Sequence, residues 1–239
     1  ELTGGYGNYD SKLLSGYLNG GNDKIAARVA FEWKKRDGYV DNLSDRQDDL
    51  YAQNQLGVRG SIRFTPTDDL TIDLIGTYDR QRNSGTPFIS SIYPTANGPA
   101  NAFGDANLSG APAGISKSVL GSDKLGLTRD VYDANVTLSW DFADGWNFTT
   151  VNGYRDFDSR EVFDADGSAA WYLEFAENAK GWQASHEGRF TYSDDRVRAS
   201  FGWNFFHEDN RQVVPFSTEE GTFLQCYFLA TGQSVPGVL

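Results

Sequence analysis

Lys24-Ile25-Ala26-Ala27-Arg28-Val29-Ala30-Phe31-Glu32-Trp33-Lys34 decides the fold. Its odd positions are Ile25, Ala27, Val29, Phe31 and Trp33, whereas the even ones include Lys24, Arg28, Glu32 and Lys34. An extended strand sends alternate side chains to opposite faces, so this segment has one apolar and one charged face. The same alternation recurs in Leu56, Val58, Ile62 and Phe64, then in Leu70, Ile72, Leu74 and Tyr78. It continues in Tyr132, Val136, Leu138, Trp140 and Phe142, in Trp182 to Tyr192, and in Val197 to Phe205. The stretch from Trp146 to Arg160 is extended but alternates less cleanly. A helical period of 3.6 appears nowhere.

Connections fall into two kinds. Short turns lie around 20–23, 66–69, 143–145 and 193–195, with the Gly, Pro, Asn and Asp chemistry of tight hairpins. Long connections run around 37–52, 83–129, 161–179 and 212–239. Counting back from the first turn, Asp10 to Asn19 and Glu1 to about Gly7 add two strands, for about nine in all. A sheet trimmed on one rim and elaborated on the other is the pattern of an outer-membrane barrel. The expectation is one domain over 1–239, an all-β antiparallel meander forming a segment of a larger transmembrane barrel.

Three features favour a membrane over a soluble sandwich. The alternation holds for about 10 to 14 residues, beyond the usual soluble strand and enough for a tilted membrane strand. Large aromatics gather at strand ends: Phe64, Trp140, Trp146 and Tyr192 near short turns, Trp33, Tyr78 and Tyr132 near long ones. They are read as two interface girdles. From Lys24 to Trp33 is roughly 21 Å of height at about 3.3 Å per residue and about 45° of tilt. Finally, the polar parity carries Arg28, Arg59, Arg63, Asp73 and Asp133, so it is no dry core.

Composition narrows the function. The 239 residues carry a net charge of -12, which argues against nucleic acid as a partner. No window is apolar enough for a membrane helix, and the opening Glu1-Leu2-Thr3 has no signal-peptide pattern. One cysteine, Cys226, and no methionine suit a piece of a longer polypeptide. A disulfide from Cys226 to a cysteine beyond Leu239 is the expectation, with a free thiol as the alternative.

Gly5-Tyr6-Gly7-Asn8-Tyr9-Asp10 followed by Leu14-Ser15-Gly16-Tyr17-Leu18-Asn19-Gly20 resembles the first barrel hairpin of TonB-dependent receptors. Ala27-Arg28-Val29-Ala30-Phe31 with Arg36-Asp37-Gly38-Tyr39-Val40-Asp41-Asn42 is similar to their third strand and its exit. Arg59-Gly60-Ser61-Ile62-Arg63-Phe64-Thr65-Pro66-Thr67-Asp68-Asp69-Leu70 resembles the hairpin that follows. The likeness covers about the first 80 residues; beyond them only strand rhythm continues. It implies a plugged barrel of about 22 strands, energised through periplasmic TonB, that imports a siderophore, a cobalamin-like cofactor or a glycan. Expected partners are outer-membrane lipid and lipopolysaccharide, the remaining barrel and plug, TonB, and a small-molecule or oligosaccharide ligand.

No catalytic constellation stands out, and neither a cofactor nor a metal is expected. The candidate ligand contacts are Tyr93, Trp171 and Tyr172 in long connections, and His207 near the long-loop rim. Phe88 and Phe103 also put aromatic surface in a long connection. His186 falls on the apolar parity as a packing residue, and Asp41, Asp45, Asp48 and Asp49 read as a solvated acidic loop. Lys35, outward above Trp33 and beside Arg36, is placed to meet outer-leaflet phosphate. Two rivals remain: a passive porin, and a soluble carbohydrate-binding sandwich with the Ile25 to Trp33 parity turned inward.

Overall fold

Alternation of the kind seen at Lys24 to Lys34 builds a single antiparallel sheet in the computed structural model, which describes residues 1–42, 46–88, 115–167, 173–218, 228 and 230–232. Its strands are β1 (Leu2–Gly7), β2 (Ser11–Gly21), β3 (Ile25–Arg36), β4 (Gln53–Thr67) and β5 (Leu70–Asn83). They continue as β6 (Gly126–Ala143), β7 (Trp146–Asp164), β8 (Glu174–Ser193), β9 (Arg198–Val213) and β10 (Phe216–Ser217). Each pairs with the next in a meander as far as β9. β10 then pairs with β8 through Phe216 and Phe175, in the register that Val213 and Asn178 set. It is β9 resumed after Pro215, which has no N–H to give the ladder. The wall is therefore nine strands, as the alternation predicts.

Below the upper rim both faces of the wall are open among the described residues. Ile25 and Val29 are 45% and 54% exposed, so the apolar parity is not turned into a sandwich core. Register carries the apolar face across the strands without a break: Ala27 opposes Ile62, Ile62 opposes Leu74, and Leu74 opposes Val136. The less regular β7 departs from the pattern where Asn152 and His186 face each other on the apolar parity. Their side chains bond to one another at 2.6 Å, and Asn152 also donates to the Val136 carbonyl at 3.2 Å. Mutual pairing is how two polar groups sit in an apolar band.

The lower rim is built from local chemistry. Asn22 Oδ1 accepts the backbone N–H of Lys24 and of Ile25 at 2.9 and 3.0 Å, closing the β2–β3 turn. Asp194 Oδ1 does the same for Arg196 and Val197 at 2.7 and 2.6 Å between β8 and β9. Gly145, at φ 72°, turns β6 into β7. Lower-rim rings pack in tilted pairs, Trp140 on Phe142 at 5.6 Å, Trp146 on Tyr192 at 5.0 Å and Phe148 on Phe190 at 4.6 Å, while Phe142 meets Phe190 edge to face at 5.8 Å.

β1 and β2 join through Asn8-Tyr9-Asp10, with Tyr9 and Asp10 at φ 59° and 49°, the short upper connection that strands at Glu1 to Gly7 and Asp10 to Asn19 require. The upper rim departs from the expected layout at β7 and β8. β7 and β8 run to 19 and 20 residues, so the span 161–179 read as a loop is mostly strand, with only 165–173 between them. Above the apolar band, side chains no longer alternate in polarity, while the backbone ladder continues unbroken to Asp164 opposite Glu174.

The buried hydrophobic cluster of the described residues sits on this rim. Leu50, Ile115, Leu120, Leu125, Val162 and Ala176 are buried together, with Val40 against them. The segment 46–50 is tied to 123–125 by Gln47, whose Nε2 donates to the Asp123 carbonyl at 3.1 Å and whose Oε1 accepts the Leu125 N–H at 2.9 Å. Phe163, Phe175 and Phe216 stack in sequence at 5.5 and 4.9 Å across β7, β8 and β10.

Candidate functional site on the charged face and upper rim

The charged face is a ladder of cross-strand pairs. Arg63 grips Asp73 with Nε at 2.7 Å and Nη2 at 2.8 Å, a two-point contact across β4 and β5. Asp133 on β6 accepts from Thr77 on β5 at 3.0 Å and from Arg155 on β7 at 2.5 Å, bridging three strands. Arg129 Nη2 reaches Asp79 at 2.9 Å nearer the top. Arg28 lies 4.0 Å over the Tyr17 ring, holding a cation by its quadrupole. Arg28, Arg59 and Arg63 share a recess of about 930 Å³ with Asp73 and Tyr17, which offers donors to an acidic or carbonyl-bearing surface facing the wall.

At the top of β7 and β8, Asp164, Asp166 and Glu174 are buried side by side. One carboxylate oxygen from each lies within 4.8 Å of the others, an oxygen set suited to a hard cation. Backbone donors already engage two of them: Asp166 and Gly167 N–H donate to Asp164 Oδ1 at 3.2 Å, and Leu173 N–H donates to Asp166 Oδ2 at 2.9 Å. Sequence reasoning missed this cluster because it read 161–179 as a loop; the only signal was Asp-x-Asp with Glu174 eight residues later. Of the acidic loop, the Asp49 carboxylate accepts the Asn42 backbone N–H at 3.1 Å, and the Asp48 carboxylate lies 3.6 Å from Lys124 Nζ.

Tyr93, Phe103, Trp171, Tyr172, Asp45 and Cys226 lie outside the described residues. His207, in β9, packs against Trp182 with centroids 5.1 Å apart. It opposes Ala184 on the apolar parity, beside Tyr154, which stacks on Trp182 at 6.2 Å. Trp33, Tyr78 and Tyr132 share that parity toward the upper rim; Tyr78 and Tyr132 stack at 4.9 Å, and Tyr78 Oη donates to Asp130 at 2.7 Å. Phe88 lies 5.9 Å from Phe163.

A second recess, of about 740 Å³, opens on the apolar parity above Trp33. Its lining includes Lys35, Arg36, Arg82, Lys124 and Arg160. Arg82 pairs with Asp130 at 2.5 Å, and Lys124 donates to the Arg46 carbonyl at 2.7 Å.

No family model and no curated protein matches the chain. Solved structures do. The ferric yersiniabactin uptake receptor FyuA from Yersinia pestis aligns with 89% of this chain at TM-score 0.60 and 14% identity. The siderophore receptor PiuA from Acinetobacter baumannii aligns with 95% of it at 0.59 and 15% identity. FpvA from P. aeruginosa, solved with heterologous pyoverdines, aligns with 91% at 0.52 and 10% identity. The chain spans 30%, 33% and 28% of these receptors respectively. At such identities the likeness is one of fold: this chain is an all-β antiparallel meander that matches a segment of the barrel wall of siderophore receptors, with its sheet open at both edges.

Proposed function

We propose that the chain is wall and surface loop of a bacterial outer-membrane receptor that imports a scarce nutrient through coupling to TonB. The supporting observation is that one sheet combines an exposed apolar face with a charged face of cross-paired ions, and lies over barrel walls of uptake receptors along 89% to 95% of its length. An apolar face meets lipid at no cost, whereas the paired charges suit a wet, occupied lumen. In this reading the recess of Arg28 and Arg59 faces a plug, and Tyr93, Trp171 and Tyr172 on the long connections contact the ligand. His207 joins the upper aromatic girdle with Trp33, Tyr78 and Tyr132, while Phe64, Trp140, Trp146 and Tyr192 form the lower one. The ligand class is a siderophore, a cobalamin-like cofactor or a glycan, the similar solved receptors favouring the first.

The test is uptake in the native host. Deleting the full-length gene is expected to abolish accumulation of one ferric siderophore supplied at nanomolar level, and deleting TonB is expected to do the same. A passive porin would instead admit small sugars in proportion to their concentration with or without TonB. Persistence of uptake without TonB, or absence of the protein from the outer-membrane fraction, contradicts the proposal.

A further inference from the structure

One ionisable side chain of the apolar face, His186, lies well inside its band. It stands six residues above Tyr192 of the lower girdle and four below Trp182. At about 3.3 Å per residue and about 45° of tilt, it is roughly 14 Å from the first level and roughly 9 Å from the second. A polar group at that depth has no water to turn to. His186 is half-buried and has a paired strand on either side, so its exposure does not come from the open edge of the sheet.

The local hydrogen bonds fix what His186 presents. Asn152 Nδ2 donates to the Val136 carbonyl at 3.2 Å, and a carbonyl can only accept, so Asn152 turns Oδ1 toward His186. His186 Nδ1 is then the donor of the 2.6 Å bond, which leaves Nε2 of the neutral ring as an acceptor. Nε2 has no hydrogen-bond partner among the described residues. Beside it stands the opposite deficiency. Trp203 packs against His186 with centroids 6.2 Å apart, over Gly188, where a Cβ would strike its ring. That ring is 39% exposed, and its Nε1, which can only donate, has no acceptor among the described residues. Acyl chains offer neither group. An acceptor and a donor side by side on one face make that face complementary to itself. Phe201 and Phe205, 60% and 66% exposed on the same parity, flank the two with apolar surface.

We infer that this patch pairs two copies of the protein in the membrane about a two-fold axis, each copy's His186 Nε2 accepting from the partner's Trp203 Nε1. Two hydrogen bonds then satisfy four groups that lipid leaves bare. The inference rests on the outer-membrane reading above but not on the transported ligand. In the experiment, full-length protein carrying a donor or an acceptor fluorophore is mixed in lipid vesicles, and energy transfer is followed over a range of protein-to-lipid ratios. Wild type is expected to form dimers. His186→Leu and Trp203→Phe should each weaken pairing about tenfold, because either substitution removes both bonds. Mixing the two variants restores one bond, from the intact Trp203 of one copy to the intact His186 of the other. The mixed pair should therefore be about threefold tighter than either variant with itself. Trp203→Phe, which keeps a ring over Gly188, carries the test alone if His186→Leu does not fold. Wild type that stays monomeric at every ratio, leaving the patch to lipid or to another protein, overturns the inference. So do variants that pair as tightly as wild type, or a mixed pair of folded variants no tighter than its parents. A receptor that transports its ligand yet never pairs overturns this inference alone; one that pairs but transports nothing overturns only the transport proposal.

Discussion

The two rims of the wall are held by opposite means. The lower rim closes through side chains that bond their own neighbours, as Asn22 does to Lys24 and Ile25, and Asp194 to Arg196 and Val197. The upper rim closes through partners far apart in the chain, as Gln47 does to Asp123 and Leu125, around a buried cluster of Leu50, Leu120, Leu125 and Val162. The difference teaches where stability and recognition separate: the lower rim sets hairpin register, and the upper rim assembles a small domain-like cap on a one-layer wall. Each is open to independent disruption.

The largest effect should follow from Leu120→Ala, which empties a fully buried site in the cap. A loss of about 2–5 kcal/mol in local stability is expected, read as faster hydrogen exchange over 117–125 with no change in β3 to β6. Equal loosening of the wall would mean that the rims are not separate. Gly145→Ala comes next, because φ is 72° and the new Cβ would stand 2.8 Å from the Ser193 carbonyl oxygen. About 1–2 kcal/mol should be lost in urea unfolding from lipid vesicles, without added proteolysis at the cap. Asn22→Ala removes two local acceptor bonds and should cost about 1 kcal/mol in the same assay. A double-mutant cycle on Arg63 and Asp73, both reachable by solvent, should return only a small coupling, because water screens the pair.

The smallest effect concerns pH. Backbone N–H bonds from Arg196 and Val197, aided by Tyr192, hold the Asp194 carboxyl below its usual range. With the folded value below the unfolded one, its contribution is complete above the unfolded pKa and fades as pH falls through the folded one. Asp194→Asn should therefore flatten the acid limb of β8–β9 turn protection, measured by hydrogen exchange between about pH 5 and 2.

The same contrast explains what was legible in the sequence. Strand faces and lower turns could be read because each depends on residues within a few positions: Ile25 to Trp33 alternate by themselves, and Asn22 carries its own turn. The cap could not be read, since Gln47 and Leu125 stand 78 positions apart and nothing local marks their pairing. The upper halves of β7 and β8 were hidden for a related reason. Arg160, Glu161, Asp164 and Glu174 look like loop by polarity because they break the alternation, while the backbone ladder that makes them strand leaves no mark in the side chains. With the ends of those strands went the buried Asp164, Asp166 and Glu174 cluster.

The most direct test of the account is the orientation of β3 in the full-length protein. Single cysteines at Val29→Cys and Ala30→Cys, spin-labelled in outer-membrane vesicles, report access to oxygen dissolved in lipid and to a water-soluble nickel chelate. The account predicts that position 29 meets oxygen and excludes the chelate, while position 30 shows less oxygen contact. Free access of the chelate to position 29, or the reverse alternation, would contradict a lipid-facing wall.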